Sequence, residues 1–251
     1  MIRFFTHQEK IIGNKIRLSE EDRRHIRSLR LRPQEDFVVC DGAGTDYICK
    51  LSDGKAEGVA DIIRQEKTQG EPTVHPTVYL AYAKCKRLDY AVQKAVELGA
   101  KSIVIFKSKR SLAPDNLEKK MERLNKIAHE AAKQSGRGII PTVENCGKYE
   151  EAIDSAINKS SLAILLFENE NTLHLRKVLE QHFPKLDSTN ASAREKIVSI
   201  MSGPEGGFED SEIDMARVKG ANVVSLGKRI LRSETAPIAA LSALMYHTDN
   251  L

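Results

Sequence analysis

The chain lacks the short motifs that mark several common enzyme classes. Its four cysteines form no C-x-x-C pair and its seven histidines show no H-E-x-x-H spacing, so neither a zinc site nor a disulfide framework is indicated. The serines lack the G-x-S-x-G frame of hydrolases. We therefore expect no bound metal. The cysteines, which lie far apart as is typical of reduced thiols, are Cys40, Cys49, Cys85 and Cys146.

Long apolar runs are missing as well. No stretch approaches the roughly 18 apolar residues of a membrane-spanning helix. The opening MIRFFTHQEK has neither the apolar core nor the cleavage site of a signal peptide. We therefore expect a cytoplasmic protein without a membrane partner. Apolar residues make up 41% of the 251 residues, which is enough to build a core in one large or two modest domains.

Basic residues are clustered, although the net charge is only +4. Residues 23–32 read RRHIRSLRLR without an acid, and residues 82–110 carry eight Lys or Arg against two acids. Such clusters favour a nucleic acid partner. In the alternative, the first cluster is a solvated helix face that pairs with acids at 20–22. The candidate phosphate contacts are Arg3, Arg23, Arg24, Arg27 and Arg30.

The segment 1–72 differs in pattern from the rest of the chain. Short β-rich pieces at 11–18, 36–42, 45–51 and 57–63 are separated by turn signals. One basic helix near 19–31, with Ser19 as its N-cap, interrupts them, and the pattern predicts a small β-barrel. Residues 64–76 are polar, contain Gly and Pro, and are typical of a linker. We therefore predict domains at 1–72 and 73–251.

The second domain alternates strands with helices, which predicts an α/β fold with a mostly parallel sheet covered on both faces. Strands are expected at 77–83, 102–106, 139–143, 162–167, 196–201 and 222–226. Helices are expected at 87–99, 114–135, 149–157, 172–182, 209–218 and 236–248. Gly99 lies where a helix C′ glycine belongs, Pro114 suits a first helical turn, and 184–195 is predicted to be a surface loop.

Three loops follow apolar strands in the C-terminal third: LLFENE (165–170), SGPEGGFEDSE (202–212) and LGKRILRSETA (226–236). Ligands of open α/β sheets bind beyond the carboxyl ends of the strands, so these loops are expected to form one pocket. Glu209, Asp210 and Glu212 are typical of acids in the first turn of a helix.

The string GPEGG places a carboxylate where a phosphate-binding loop would present bare amides. It matches neither G-x-G-x-x-G nor the P-loop pattern, and Glu205 argues against a bound pyrophosphate. The glycines at 203, 206 and 207 let a ligand approach the backbone. A carboxylate suits ribose hydroxyls, an ammonium or a sulfonium cation. In the alternative, the string is a tight turn whose Glu205 caps the following helix.

The string LGKRILRSETA combines apolar Ile230 and Leu231 with three basic residues. The two apolar side chains are suited to form a wall for a flat ring. In the alternative, this is an ordinary loop whose apolar residues pack into the core of the protein. Pro237 must lie within the first turn of the closing helix, which favours Ser233 or Thr235 as the N-cap.

Together, these strings resemble the small-subunit ribosomal RNA uridine-N3 methyltransferase family (RsmE type) of the SPOUT superfamily. The resemblance rests on GPEGGF followed by Glu212 and on LGKRILRSETA, and it extends through MIRFF, HIRSLRL, DGAGTDY, RLDYAVQKAVELGA, KRS (109–111), AAKQSGR (131–137) and IP (140–141). The sequence departs from the family pattern at RLRPQED and Lys133, which bear on RNA contacts, and at Pro237, which bears on the start of the closing helix.

The resemblance implies a fold and a reaction. The first domain would be a PUA-like, RNA-binding β-barrel, and the second a SPOUT-type α/β domain with a C-terminal trefoil knot, a rare exception among folds. The implied protein is a homodimer that uses S-adenosylmethionine and releases S-adenosylhomocysteine. Its implied target is N3 of one uridine in the 16S ribosomal RNA of the assembled small ribosomal subunit.

The resemblance also implies site residues. The cofactor-binding positions are Phe167, Glu168, Gly203, Pro204, Glu205, Gly206, Leu226, Gly227, Ile230, Leu231, Arg232, Thr235 and Ala236. Adenine is expected against Leu226, Ile230 and Leu231, with Gly203 and Glu205 near the ribose or the methionine portion. Because uracil N3 carries a proton at neutral pH, the candidate catalytic groups are Glu205 or Glu234 as proton acceptor and Arg232 as the cation that stabilises charge on the uracil oxygens.

Two other functions stay open at this point. One is a non-catalytic RNA-binding or ribosome-assembly protein on the same scaffold. The other is a SPOUT methyltransferase that acts on a ribose 2′-OH or on transfer RNA.

Overall fold

A computed structural model describes residues 2–52, 58–112, 116–184 and 196–251. The chain forms two compact units, Met1–Glu71 with Ala132–Ile140, and Pro72–Ala131 with Pro141–Leu251. The first unit therefore includes a segment from beyond the border predicted at 72. The expectations for Pro114 and for the surface loop at 185–195 lie outside the described residues.

The first unit contains one six-stranded sheet in the order β1-β4-β5-β6-β3-β2, in which β1 is parallel to β4 and the other neighbours are antiparallel. Its elements are β1 (Arg3–Phe5), a 3-10 turn (Gln8–Lys10), β2 (Ile11–Ile12), β3 (Lys15–Arg17), α1 (Glu20–Ser28), β4 (Phe37–Cys40), β5 (Thr45–Leu51) and β6 (Val59–Lys67). Ser19 is the N-cap of α1, as predicted: its Oγ accepts the Asp22 amide, and the Asp22 carboxylate accepts the Ser19 amide. The buried core residues are Phe4, Ile16, Leu18, Ile26, Phe37, Val39, Cys49 and Ala60.

The second unit contains one sheet in the order β12-β10-β11-β7-β8-β9, and every described neighbouring pair is parallel. Its elements are β7 (Val74–Ala81), α2 (Cys85–Glu97), β8 (Ser102–Lys107), α3 (Leu117–Ser135, whose last residues belong to the first unit), β9 (Thr142–Lys148), α4 (Tyr149–Asn158), β10 (Leu162–Leu166), α5 (Leu175–His182), β11 (Lys196–Ser202), α6 (Asp210–Lys219), β12 (Asn222–Val224) and α7 (Thr235–His247). Helices α4 and α6 share a buried cluster with the sheet, while α7 contacts β7 and β11 and packs against α2 and α5. The predicted α/β fold with a parallel sheet is confirmed, and Gly99 after α2 has the positive φ of +93° that a C′ glycine needs. The trefoil knot stays a prediction.

The linker expected at 64–76 is wrong at both ends. Strand β6 continues to Lys67 and pairs with β5 along its length, and β7 begins at Val74. In the C-terminal half of β6, main-chain hydrogen bonds hold the strand although the side chains are exposed. Because neither face of this half is buried, its sequence shows no alternation of apolar and polar residues. The strand expected at 139–143 begins only at Thr142, because the Ile139 amide donates to Glu71 within the first unit.

Glu71 fastens segment 132–140 to the first unit. Its carboxylate accepts two hydrogen bonds from the Arg137 guanidinium, at 2.9 and 2.8 Å, and one from the Gly138 amide at 2.8 Å. A Cβ on Gly138 would lie 2.5 Å from the Thr68 side chain, so only glycine permits this approach. No described helix is long and apolar enough to cross a membrane.

Candidate functional site

A pocket of about 280 Å³ lies beyond the carboxyl ends of β10, β11 and β12. The three strands are adjacent and parallel, so their ends meet at one edge of the sheet. The volume is close to the lower end of the range for small-molecule sites. Its lining combines the buried residues Leu166, Ser202 and Phe208 with the loops that follow the strands.

Most of the cofactor positions expected from the sequence line this one pocket: Phe167, Glu168, Gly203, Pro204, Glu205, Leu226, Gly227, Ile230, Leu231, Arg232 and Ala236. Gly206 and Thr235 are not among the lining residues. The Gly206 carbonyl accepts a hydrogen bond from Arg110 Nη1 at 2.9 Å. Thr235 instead lines a wider groove beside α5 and α7.

The glycine loop (residues 203–207) is held by side chains from other parts of the unit. Glu205 Oε1 accepts the Lys84 amide at 3.0 Å and lies 3.3 Å from Arg87 Nη1. Gly207 has a positive φ of +68°, and a Cβ there would collide with the Glu168 carboxylate. The conformation of this loop at the pocket therefore depends on contacts with distant residues, which its own sequence does not reveal.

The alternative in which Glu205 caps the following helix is wrong. Glu212 takes that role for α6, because its Oε2 accepts the Glu209 amide at 2.9 Å. Glu212 is only 2% exposed, and it also accepts the Lys109 amide at 3.1 Å and the Ser108 hydroxyl at 3.3 Å. One buried carboxylate thus connects the start of α6 to the loop after β8.

The loop after β10 is fixed by a second buried carboxylate. Glu170, whose side chain is 8% exposed, accepts the Thr172 hydroxyl and amide at 2.6 and 2.7 Å and pairs with Arg217 Nη2 at 2.8 Å. The two hydrogen bonds from Thr172, helped by the bond from Arg217, lower the pKa of Glu170 to about 2. Burial acts in the opposite direction but is outweighed. This network holds the loop that carries Phe167 and Glu168.

The apolar loop (residues 226–234) is held mainly through its backbone. The Ser225 hydroxyl accepts the Gly227 amide at 3.1 Å, and Gly227 has a φ of +114°. The Arg232 carbonyl accepts the amides of residues 235 and 236 at 2.8 and 2.9 Å, so a turn already precedes α7. The N-cap of α7 is therefore Glu234, without a side-chain bond, and the predicted caps Ser233 and Thr235 are wrong. Pro237 lies in the first turn, as predicted.

Side chains of the apolar loop face outward. Ile230 is 80% exposed although it is apolar, so the alternative in which it packs into the core is wrong. Leu231 is partly exposed, and Arg229 and Arg232 are exposed at the pocket. Ile230 and Leu231 both line the pocket, so this loop presents apolar side chains to a bound ligand.

The structure adds Arg87, which the sequence interpretation did not include in the site. Arg87 lies in the first turn of α2, lines the pocket, and has its Nε 3.9 Å from Glu234 Oε2 in addition to its contact with Glu205. Its only sequence signal was membership of the basic cluster at 82–110. Nothing in that cluster's spacing indicates which of its cations faces the pocket.

The candidate RNA contacts of the first unit are not equivalent. Arg3 is wrong as a phosphate contact: its guanidinium donates to both Asp46 oxygens, at 2.6 and 2.7 Å, and its side chain is 12% exposed. Burial opposes the charge on Asp46, but hydrogen bonds from Arg3 and Thr68 outweigh this effect and keep the pKa of Asp46 below its usual value. This ion pair is internal.

The arginines of the first basic cluster remain candidates. Arg24, Arg27 and Arg30 are exposed, and among the described residues no ion pair joins them to the acids at 20–22. Arg23 is partly buried, with its Nε enclosed and its chain against Gly58. No group of three or more metal-ligating side chains occurs among the described residues.

Comparisons with known proteins agree with this architecture. A model described as an RNA methyltransferase domain matches residues 70–245, and one described as an RNA methyltransferase PUA domain matches residues 18–61. The ribosomal RNA small subunit methyltransferase E of Mesomycoplasma hyopneumoniae is 33% identical, over 96% of this chain and 98% of its own. The protein of that name from Synechocystis is 32% identical, over 94% of this chain and 74% of its own.

A solved structure shows the same fold. The ribosomal RNA small subunit methyltransferase E from Neisseria gonorrhoeae, bound to S-adenosyl methionine, has a TM-score of 0.81 and 30% identity and covers 98% of this chain and 97% of its own. Fold, pocket and family models thus define an RNA methyltransferase that carries a PUA domain. More specifically, the chain belongs to the ribosomal RNA small subunit methyltransferase E family.

Proposed function

We propose that this protein transfers a methyl group from S-adenosylmethionine to N3 of one uridine in the 16S ribosomal RNA of the small ribosomal subunit. The observation that carries the proposal is the pocket in which three adjacent strand ends bring together an exposed apolar side chain, two carboxylates and Arg232. Family membership supports the same reaction. The product would be S-adenosylhomocysteine.

The residues of the pocket fit a nucleoside with an amino acid tail. Leu226, Ile230 and Leu231 offer an apolar wall for adenine, and Glu205 and Glu168 offer carboxylates for ribose hydroxyls or the ammonium. Pro204 has no amide, and a Cβ on Gly203 would lie 3.1 Å from the Phe208 ring, so glycine lets the loop lie close to that ring. Phe167, Gly227 and Ala236 complete the lining, and Gly206 and Thr235 are proposed at the ends of the two loops. No metal is needed for this set.

When bound, S-adenosylmethionine supplies an electrophilic methyl group. The chain itself must remove or accommodate the N3 proton of uracil and stabilise the resulting anion. Arg232, exposed at the pocket, is proposed to stabilise negative charge on the uracil oxygens. Glu234 and Glu205 are the candidate proton acceptors. Both carboxylates contact Arg87, and of the two only Glu205 lines the pocket.

RNA contacts are proposed for the exposed arginines of the first unit, Arg24, Arg27 and Arg30, with Arg23 partly enclosed. Each phosphate contact adds about one to the slope of log affinity against log salt. We therefore expect Arg24→Glu and Arg27→Glu each to weaken binding to small subunits and to reduce that slope by about one. Arg64→Glu, an exposed arginine on β6, serves as the matched control and should change neither.

The proposal includes features that follow from the family: a homodimer, the trefoil knot, and action in the cytoplasm on assembled small subunits rather than naked RNA. Equilibrium sedimentation tests the first. Comparison of assembled subunits with extracted 16S RNA as methyl acceptors tests the last.

The decisive experiment uses small subunits from a strain in which this gene is deleted. Purified protein and labelled S-adenosylmethionine should generate 3-methyluridine in 16S RNA, detected by mass spectrometry of nucleosides. Detection of a 2′-O-methyl nucleoside would contradict the proposed reaction and indicate a ribose methyltransferase. Methylation of transfer RNA instead of 16S RNA would indicate a transfer RNA methyltransferase. Absence of cofactor binding in calorimetry would favour the ribosome-assembly protein.

A further inference from the structure

The first turn of α2 reaches two of the pocket loops at once. Arg87 Nη1 lies 3.3 Å from a carboxylate oxygen of Glu205 in the glycine loop, and its Nε lies 3.9 Å from Glu234 at the end of the apolar loop. The Lys84 amide donates to the same Glu205 oxygen at 3.0 Å. Strand β7, which leads into α2, is the sheet neighbour of β11. A fourth strand exit therefore contributes to the pocket.

We propose that Arg87 is a positioning residue that joins the glycine loop to the apolar loop, so that the S-adenosylmethionine pocket is largely formed before the ligand binds. The inference rests on the proposed function for the identity of the ligand. Two carboxylates on separate loops repel one another, and a cation between them removes that repulsion. A guanidinium presents nitrogens in several directions of one plane and can serve both loops, which a lysine ammonium does less well.

This role predicts an effect on binding rather than on stability. The side chains of Arg87, Glu205 and Glu234 are 35%, 23% and 14% exposed. Ion pairs with this much solvent contribute little to the free energy of unfolding. Holding two loops in their binding arrangement, by contrast, lowers the entropy lost when a ligand orders them. Affinity should therefore fall in a variant that still folds.

The test is calorimetry of S-adenosylmethionine binding to the full chain without RNA. We expect Arg87→Ala to weaken binding about tenfold, the order typical of coupled neighbouring groups, and Arg87→Lys to recover part of the loss. Arg123→Ala is the matched control: Arg123 on α3 pairs through Nη2 with Asp89 of α2 at 2.7 Å, but Arg123 does not line the pocket. It should bind like the wild type.

Two further measurements separate positioning from general damage. In a double-mutant cycle with Glu205→Gln, the losses should be less than additive, because both changes break one contact. Hydrogen exchange in the ligand-free protein should quicken at the amides of 203, 205–207 and 226–234 in Arg87→Ala and not in Arg123→Ala. A cofactor affinity equal to the wild type, or unchanged exchange in both loops, would overturn the inference.

The exchange experiment also keeps this inference distinct from the proposed function. If the wild type bound no S-adenosylmethionine, the proposed function would fail, while faster exchange confined to these two loops would still support the joining role of Arg87. If the wild type bound the cofactor and Arg87→Ala bound it equally well, only the role of Arg87 would fail.

Discussion

The glycine loop and the apolar loop border the same pocket but are held in opposite ways. Other elements fix the glycine loop through its polar groups: Lys84 and Arg87 hold Glu205, and Arg110 holds the Gly206 carbonyl. The apolar loop is fixed largely by its own backbone turns, with contacts from other elements at its end, where Ser202 and Arg87 reach residues 233 and 234. It leaves Ile230 and Arg232 exposed. The first arrangement defines the shape of the site, and the second leaves side chains available to ligands. Substitutions in the two loops should therefore fail differently.

The largest effect is expected at Arg232. Arg232→Ala should lower the rate of methyl transfer by about 10²–10³, the usual result of removing a group that stabilises developing charge. The unfolding temperature should stay unchanged because the side chain is exposed. Single-turnover methylation of small subunits at saturating cofactor measures the rate, with Lys228→Ala, an exposed cation of the same loop that does not line this pocket, as control. Full methylation by Arg232→Ala would exclude it as a catalytic residue.

A substitution in the glycine loop should instead act through the fold. Gly207→Ala imposes a positive φ on alanine and requires the exposed Glu168 carboxylate to move aside, for a cost of about 2 kcal/mol in the free energy of unfolding. Gly220→Ala is the matched control, since Gly220 has a φ of +96° with open space around it. Its cost should be only about 1 kcal/mol. Equal losses in chemical denaturation would show that the contact with Glu168 does not matter.

Glu170 extends the comparison to the loop after β10, which resembles the glycine loop because polar contacts with another element hold it. Glu170→Gln should cost about 2 kcal/mol at neutral pH, because charge-assisted hydrogen bonds are lost. The folded pKa of about 2 lies below the ordinary 4.5, so this carboxylate stabilises the fold above pH 4.5 and loses that contribution as pH falls toward 2. Denaturation of Glu170→Gln across this window should show a shallower pH dependence than the wild type. An unchanged slope would assign the acid sensitivity to other groups.

The smallest effect is expected at Ile230. Ile230→Ala should reduce cofactor affinity by about 1 kcal/mol, or roughly fivefold, through lost apolar contact. Stability should change by less than about 0.5 kcal/mol because the side chain is exposed. Val218→Ala, 88% exposed on α6 and not among the pocket residues, is the control and should change neither quantity. Unaltered affinity in Ile230→Ala would place adenine elsewhere.

Local sequence signals were sufficient to predict features that depend on neighbouring residues within one element, such as the start or end of a helix. Ser19 with Asp22 three residues later specifies the start of α1, and Gly99 specifies the end of α2, because capping depends on neighbours in the chain. The alternation of strands and helices gave the parallel sheet, and parallel strands place their ends together. The pocket region therefore followed from sequence.

Contacts between distant segments were not predictable in the same way. Arg3 and Asp46 are 43 residues apart, and only the pairing of strands shows that this arginine is internal. Arg87 and Glu205 are likewise far apart in the chain, so one of eight cations in a cluster could not be singled out. The caps of α7 failed for a related reason, since the backbone turn at Arg232 replaced the side chain that a cap usually supplies.

The fastening of segment 132–140 by Glu71 affects how the protein is made. During synthesis, residues 1–71 leave the ribosome long before Arg137 and Gly138, so the N-terminal unit cannot complete its contacts until more than half of the chain has emerged. In a fragment that ends at Glu71, the Glu71 carboxylate would lack its hydrogen bonds from Arg137 and Gly138. Completion of the N-terminal unit thus depends on a segment that is synthesised after the first half of the chain.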